Sequence, residues 1–194
     1  YGESTFEVLF ENVIKKQIMD IRESLPWNSR LNLVGFLHAL TFSHFFLFTK
    51  KEFMLLIDEV LPSFLSDSNQ EVRKAALSLL KMLVCIAYSD DHELCSEKVK
   101  ELFELANKDK NKINKNLFVA VSFASALLAN VSVWFKDCPL WLPDIFNELE
   151  RNYSQGNCKE EIKSTTTEFF TRHEGSDIPE IEDYKYSFTD RYFT

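Results

Sequence analysis

Apolar residues recur at helical spacing along nearly the whole chain. Phe53, Leu56, Ile57, Val60, Leu61 and Phe64 fall at i, i+3, i+4, i+7, i+8 and i+11, one face of a helix. Pro62 stands near the end of this stretch and is expected to bend or tighten the last turn. "SDSN" (66–69) then interrupts the period and offers capping oxygens. Val72, Ala75, Ala76, Leu79 and Leu83 resume it. Two helices joined by so short a loop are expected to pack antiparallel.

A second hairpin is expected over 139–172. Pro139 and Pro143 flank "LWL", and proline fits a first helical turn because no donor is needed there. Leu142, Ile145, Phe146, Leu149 and Tyr153 give the inward stripe, "YSQGNC" (153–158) a turn, and Ile162, Thr166, Phe169 and Phe170 a further helix. Helices are also expected near 6–20, 28–48, 94–106 and 113–135, about eight in all. Only 4 Gly and 5 Pro among 194 residues disfavour a many-stranded fold. The expected fold is all-α, an α-solenoid of stacked antiparallel hairpins in which each unit buries its face on a neighbour.

Two stretches need separate readings. "LFVAVSFASALLANVSVWF" (117–135) carries no charge over 19 residues and so could span a membrane. Its serines, Asn130 and small residues favour a core helix between neighbours, and no membrane is expected as a partner. From Glu174 onward there are six acidic and two basic residues, so the segment holds −4 of the net charge of −8. It also holds Tyr184, Tyr186, Phe188, Tyr192 and Phe193 without a sustained helical period. Residues 1–173 are therefore read as the helical region. Residues 174–194 are read as an extended, acidic strap, partly pinned to the solenoid by its aromatics.

The acidic balance argues against nucleic acid, which needs a concentrated basic surface. The one basic run, "KDKNKINK" (108–115), reads as a solvated interhelical loop in preference to a phosphate or inositol-phosphate patch. Cys85, Cys95, Cys138 and Cys158 show no C-x-x-C pair and no signal peptide precedes them, which points to a reducing cytoplasmic or nuclear compartment. His92 and Cys95 form one H-x-x-C without a second ligand pair, so no metal is expected. No phosphate loop, dinucleotide fingerprint, G-x-S-x-G or H-E-x-x-H occurs, and neither an enzyme nor a cofactor is expected. Tyr1 in place of Met reads as the start of a fragment or processed chain.

"LPSFLSDSNQEVRKAALSLLKMLV" (61–84) resembles a HEAT repeat, with an Asp in the turn followed by Val-Arg and then Ala. In that reading Asp67 caps the second helix, Val72 and Ala76 allow close approach, and Arg73 reaches turn carboxylates. Four stretches in order resemble the C-terminal part of the large single-chain proteasome activators. These comprise the family of proteasome activator complex subunit 4 and its fungal bleomycin-sensitivity relative. The stretches are "WNSRLNLVGFLHALTFSHFFLF" (27–48), "LSDSNQEVRKAALSLLKMLVC" (65–85), "CPLWLPDIFNEL" (138–149) and "IKSTTTEFFTRH" (162–173).

The resemblance implies a HEAT-repeat dome that caps the 20S proteasome and a C-terminal hydrophobic–tyrosine–any tripeptide that enters a pocket between α subunits. Carried over, Tyr192 takes the hydrophobic place, Phe193 stands where the family has tyrosine, and Thr194 supplies the carboxylate. A carboxylate beside apolar rings suits a pocket offering a lysine or backbone amides. The implied partners are the 20S α subunits, in cytoplasm and nucleus. Nothing in these residues supports recognition of acetylated histones, which some activators of the family show. The competing expectation is a HEAT-type adaptor or transport receptor, with its tail folded back in cis.

Overall fold

The computed structural model describes Val8, Glu11, Asn12, Ile14, Lys16 and residues 22–88, 91–109, 114–134, 139–174 and 179–192. Among the described residues all regular structure is helical. A 3-10 turn (Arg22–Ser24) leads into α1 (Trp27–His44), and a second (Phe45–Leu47) leads into α2 (Lys50–Leu55). A π-helical turn (Leu56–Val60) joins α2 to α3 (Leu61–Leu65), and α4 is Gln70–Ala87. Then come α5 (His92–Lys108), α6 (Lys115–Trp134), α7 (Leu142–Ser154), α8 (Lys159–Arg172) and α9 (Pro179–Tyr192). The chain divides into two compact units, Tyr1–Ala87 and Tyr88–Thr194.

In the first unit α4 is the centre, with α1, α2 and α3 all packed against it. Val72, Ala76, Leu79, Leu80, Leu83 and Val84 supply its buried face, opposed by Leu56, Ile57, Val60, Leu61 and Phe64. The hairpin expected over 50–88 is present, with one change of helix type. Pro62 has no N–H to give Asp58 and its ring would strike that carbonyl. The chain widens upstream instead of tightening, and the Leu61 N–H reaches back five residues to Leu56 O. Thr49 and Glu52 close the start of α2 reciprocally, which satisfies the buried Glu52 carboxylate (Thr49 N to Glu52 Oε2, 2.6 Å).

The turn 66–69 differs from the expectation in its chemistry. Asn69, not Asp67, caps α4: its Oδ1 accepts from the N–H groups of Glu71 (2.9 Å) and Val72 (3.4 Å). It stands immediately before the helix, whereas Asp67 lies two residues further back. Asp67 instead accepts the Asn69 N–H (2.8 Å) and a two-pronged contact from Arg30 of α1 (Nε 2.6 Å, Nη2 2.9 Å). Arg30 also donates to Leu25 O (2.5 Å). Arg73 donates to the turn carbonyls of Asp67 (2.9 Å) and Ser68 (3.3 Å), and its charge also acts on the Asp67 carboxylate.

In the second unit α6 lies between α5 and α8, and α7 packs on both α5 and α8. The α6 residues Leu117, Ala120, Val121, Phe123, Ala124, Ala126, Leu127, Leu128 and Val131 are all buried. Being apolar around its circumference, α6 needs neighbours on several sides. No described helix is long and apolar enough to cross a membrane. The second expected hairpin is present as α7 and α8, and Leu142, Phe146 and Leu149 are buried. Its turn carries a Schellman closure, with Gly156 N–H on Tyr153 O (3.0 Å) and Asn157 N–H on Asn152 O (3.0 Å). Gly156 has φ 83° and Cys158, which precedes α8, has φ 45°.

Of the strap expected over 174–194, the described part from Pro179 to Tyr192 is helical, not extended. Residues Pro179–Tyr192 form α9, because Ile181, Tyr184 and Phe188 share one helical face that finds apolar partners.

Two outcomes follow from these turns. Burial pushes the Asp67 carboxyl up, but the Arg30 and Asn69 hydrogen bonds and the charges of Arg30 and Arg73 outweigh it and hold it below the usual carboxylate range. Asp67→Asn should cost about 2–3 kcal/mol at pH 7 in urea denaturation. A depressed folded pKa gives stability that is present above the ordinary carboxylate value and lost as pH falls through the folded one. The gap between the two proteins should therefore shrink in acid. In the α7–α8 turn, Gly156→Ala should cost about 1 kcal/mol and Cys158→Gly should gain about 0.5–1 kcal/mol, read as midpoint shifts.

Candidate functional site

The sequence placed the candidate site at the chain's last residues, so the element that carries them decides its geometry. Proline at the start of α9 suits a first turn, and Ile181, Tyr184 and Phe188 follow at i, i+3 and i+7. Ile181 and Phe188 are each about 1% exposed. Tyr186, on the other face, is 75% exposed. The inner face meets a cluster of rings on α7 and α8.

Phe146 of α7 is the hub of that cluster. Tyr184 stacks on it at 4.6 Å with 12° between planes, and Phe170 stacks at 5.5 Å with 15°. Phe169 (5.4 Å, 62°) and Phe188 (5.9 Å, 64°) approach it edge-on, and Phe188 also tilts against Phe170 at 6.4 Å. Offset-stacked and edge-on pairs are the arrangements that the ring quadrupole favours, each worth about 0.5–1.5 kcal/mol beyond area burial. Burying Ile181 and Phe188 adds about 1.5–3 kcal/mol apiece. These terms outweigh the like-charge repulsion among the exposed carboxylates Glu182 and Asp183.

The platform under the cluster is itself tied down. His173 closes α8, giving its Nδ1 proton to Phe169 O (2.9 Å) with its ring 4.3 Å from that of Phe169. It is a buried core histidine. Thr166 returns its hydroxyl to Ile162 O (2.9 Å), and Arg172 bridges α8 to α6 by donating to Ala129 O while pairing with Glu168 (2.9 Å).

Tyr192 is the last residue of α9, and its side chain lies outside the described residues. Phe193 and Thr194 lie outside them altogether. The structure thus fixes the helix that leads into the tripeptide. The segment's aromatics were expected to pin it, and Tyr184 and Phe188 do so on Phe146; that they act from a helix was missed, although the i, i+3, i+7 spacing after Pro179 carried the signal.

Other candidate chemistry resolves into structural roles. Cys95 is buried with Sγ 3.6 Å from Tyr88 O, whereas His92 is exposed. Among the described residues no group of three or more His, Cys, Asp or Glu could hold a metal ion. Of the basic run, residues 110–113 lie outside the described residues. Asn114 closes that loop by donating to Ala106 O (2.7 Å) and caps α6 by accepting the Leu117 N–H (2.8 Å).

Phe188→Ala should lower stability by about 3 kcal/mol in thermal or urea unfolding. Tyr186→Ala, on the exposed face of the same helix, should change it by less than about 0.5 kcal/mol.

No protein-family model, no curated protein and no solved structure matches this chain.

Proposed function

We propose that this chain is a HEAT-like helical scaffold of the proteasome-activator type. Its residues Tyr192, Phe193 and Thr194 enter a pocket between α subunits of the 20S particle and promote gate opening. The observation that carries the reading is the docking of α9 through Phe146, because the helix runs to Tyr192 and brings the tripeptide to the end of an anchored element. The four ordered stretches that resemble the activator family supply the partner, and with it a place in cytoplasm and nucleus.

Anchoring matters energetically. A tripeptide that buries one aromatic ring gains about 1.5–3 kcal/mol. A charge-assisted contact from a lysine to the Thr194 carboxylate adds about 1.5–3 kcal/mol. Lost rotational freedom and ordering offset much of this for a free tail. A helix already fixed to its scaffold has lost that freedom on folding, so more of the gain remains for binding.

A HEAT-type adaptor unrelated to the proteasome is the second reading. It is favoured by the same α9, since Tyr184 and Phe188 find apolar partners in cis. Binding to 20S particles separates the two.

The chain ending at Thr194 should co-sediment with 20S particles and stimulate peptide hydrolysis. Removing Tyr192–Thr194 should weaken co-sedimentation by about 10-fold or more, the equivalent of 1.4 kcal/mol. One glycine added after Thr194 should do the same by moving the carboxylate. Phe193→Tyr should strengthen stimulation by restoring the family hydroxyl. Stimulation that survives both the deletion and the added glycine would refute insertion of the tripeptide.

A further inference from the structure

We propose that the open face of α1 is a self-association surface, and that a second copy of this chain packs on it antiparallel about Ala39. From residue 31 to residue 49 there is no Asp, Glu, Lys or Arg. Only one side of α1 is used within the fold, where Val34, Leu37 and Thr41 are buried. On the opposite side Asn32, Gly35, Phe36, Ala39, Phe42 and Ser43 are all exposed, and the stripe continues into Phe46 of the following turn. These positions stand at −7, −4, −3, 0, +3, +4 and +7 from Ala39, the neighbours on one helical face.

The stripe is close to its own mirror image along the chain. Phenylalanines lie three residues either side of Ala39, and the small residues Gly35 and Ser43 lie four residues either side. A two-fold interface puts residue i of one copy against residue j of the other and j against i. Antiparallel pairing about Ala39 sets each Phe36 against Phe42 of the second copy, with small residues at the crossing. A β-carbon at Gly35 would meet nothing within 4 Å, so the fold of one chain gives no steric reason for glycine there. Glycine costs helix stability relative to alanine, and close approach of a second helix is what it provides.

The area is sufficient. Phe42 and Phe46 are each 70% exposed, Phe45 55% and Phe36 53%. With Leu47 these side chains present on the order of 600 Å², taking about 200 Å² for a large apolar residue. That is the upper end of the largest apolar patch usual on a monomer, about 300–600 Å². It approaches the roughly 800 Å² per partner of a standard interface. An uncharged stripe also meets its copy without like-charge repulsion, unlike the acidic C-terminal segment.

Sedimentation velocity on the whole chain should show a monomer–dimer equilibrium with a dissociation constant on the order of 10 µM. Phe42→Glu should weaken it by about 10-fold or more, as expected for a central aromatic contact. Ser43→Glu, which replaces a polar exposed residue and leaves the core untouched, should also weaken it by setting two carboxylates together at the crossing. Ala39→Cys should yield a disulfide-linked dimer under mild oxidation that the unaltered chain, with its own cysteines, does not. A chain that stays monomeric at about 200 µM would overturn the inference, whether the face then captures lipid vesicles or another protein. A dimer that survives both glutamate substitutions, or that never cross-links through position 39, would overturn it equally.

Discussion

The contact on which the functional reading depends is the ring of Phe146. It is a single buried side chain of α7, yet it receives two rings from α8 and two from α9. Two lie nearly parallel to it and two edge-on, which lets one quadrupole satisfy four neighbours. Without that ring α9 would lose one stacked and one edge-on aromatic partner. An isolated helix of 14 residues carrying several like charges is marginal in water, so α9 exists because the cluster receives it.

The first unit is fixed by a polar counterpart, the pair of Arg30 with Asp67 across 37 residues of chain. Here the gain comes from geometry more than from charge. Asp67 has little exposed surface, so its desolvation is offset only because both oxygens are used, by a two-pronged guanidinium and a backbone N–H. The pair ties the first turns of α1 to the turn ahead of α4, and Arg73 holds the same turn by its carbonyls. Asp67 and Arg73 thus act on the same turn, Asp67 through a distant arginine and a backbone N–H, Arg73 through backbone carbonyls.

Much of the fold was legible because burial follows period. Val72, Ala76, Leu79, Leu142, Phe146 and Leu149 are all buried, as their spacing requires. Three features were not legible, each for a physical reason. The partner of Asp67 lies 37 residues away, beyond any local spacing rule. The effect of Pro62 appears upstream, in the π turn, because the lost donor belongs to the preceding turn's ledger. Among the described side chains of α9, Ile181, Tyr184 and Phe188 mark the inner face, and the exposed Tyr186 obscures that stripe in sequence. The 117–135 run, read as a core helix from its serines, Asn130 and small residues, has its apolar residues from Leu117 to Val131 largely buried, with α5 and α8 packed on the helix.

Amide hydrogen exchange resolved to residues 179–192 tests most directly whether the chain's last element is a docked helix. The amides between Tyr184 and Phe188 should be protected at least about 100-fold over the unstructured chain, corresponding to an opening cost near 2.7 kcal/mol. Exchange there at the rate of an unstructured peptide would contradict a docked helix. The segment would then be the free strap that its acidity suggests, and the anchored presentation of Tyr192 would have no basis.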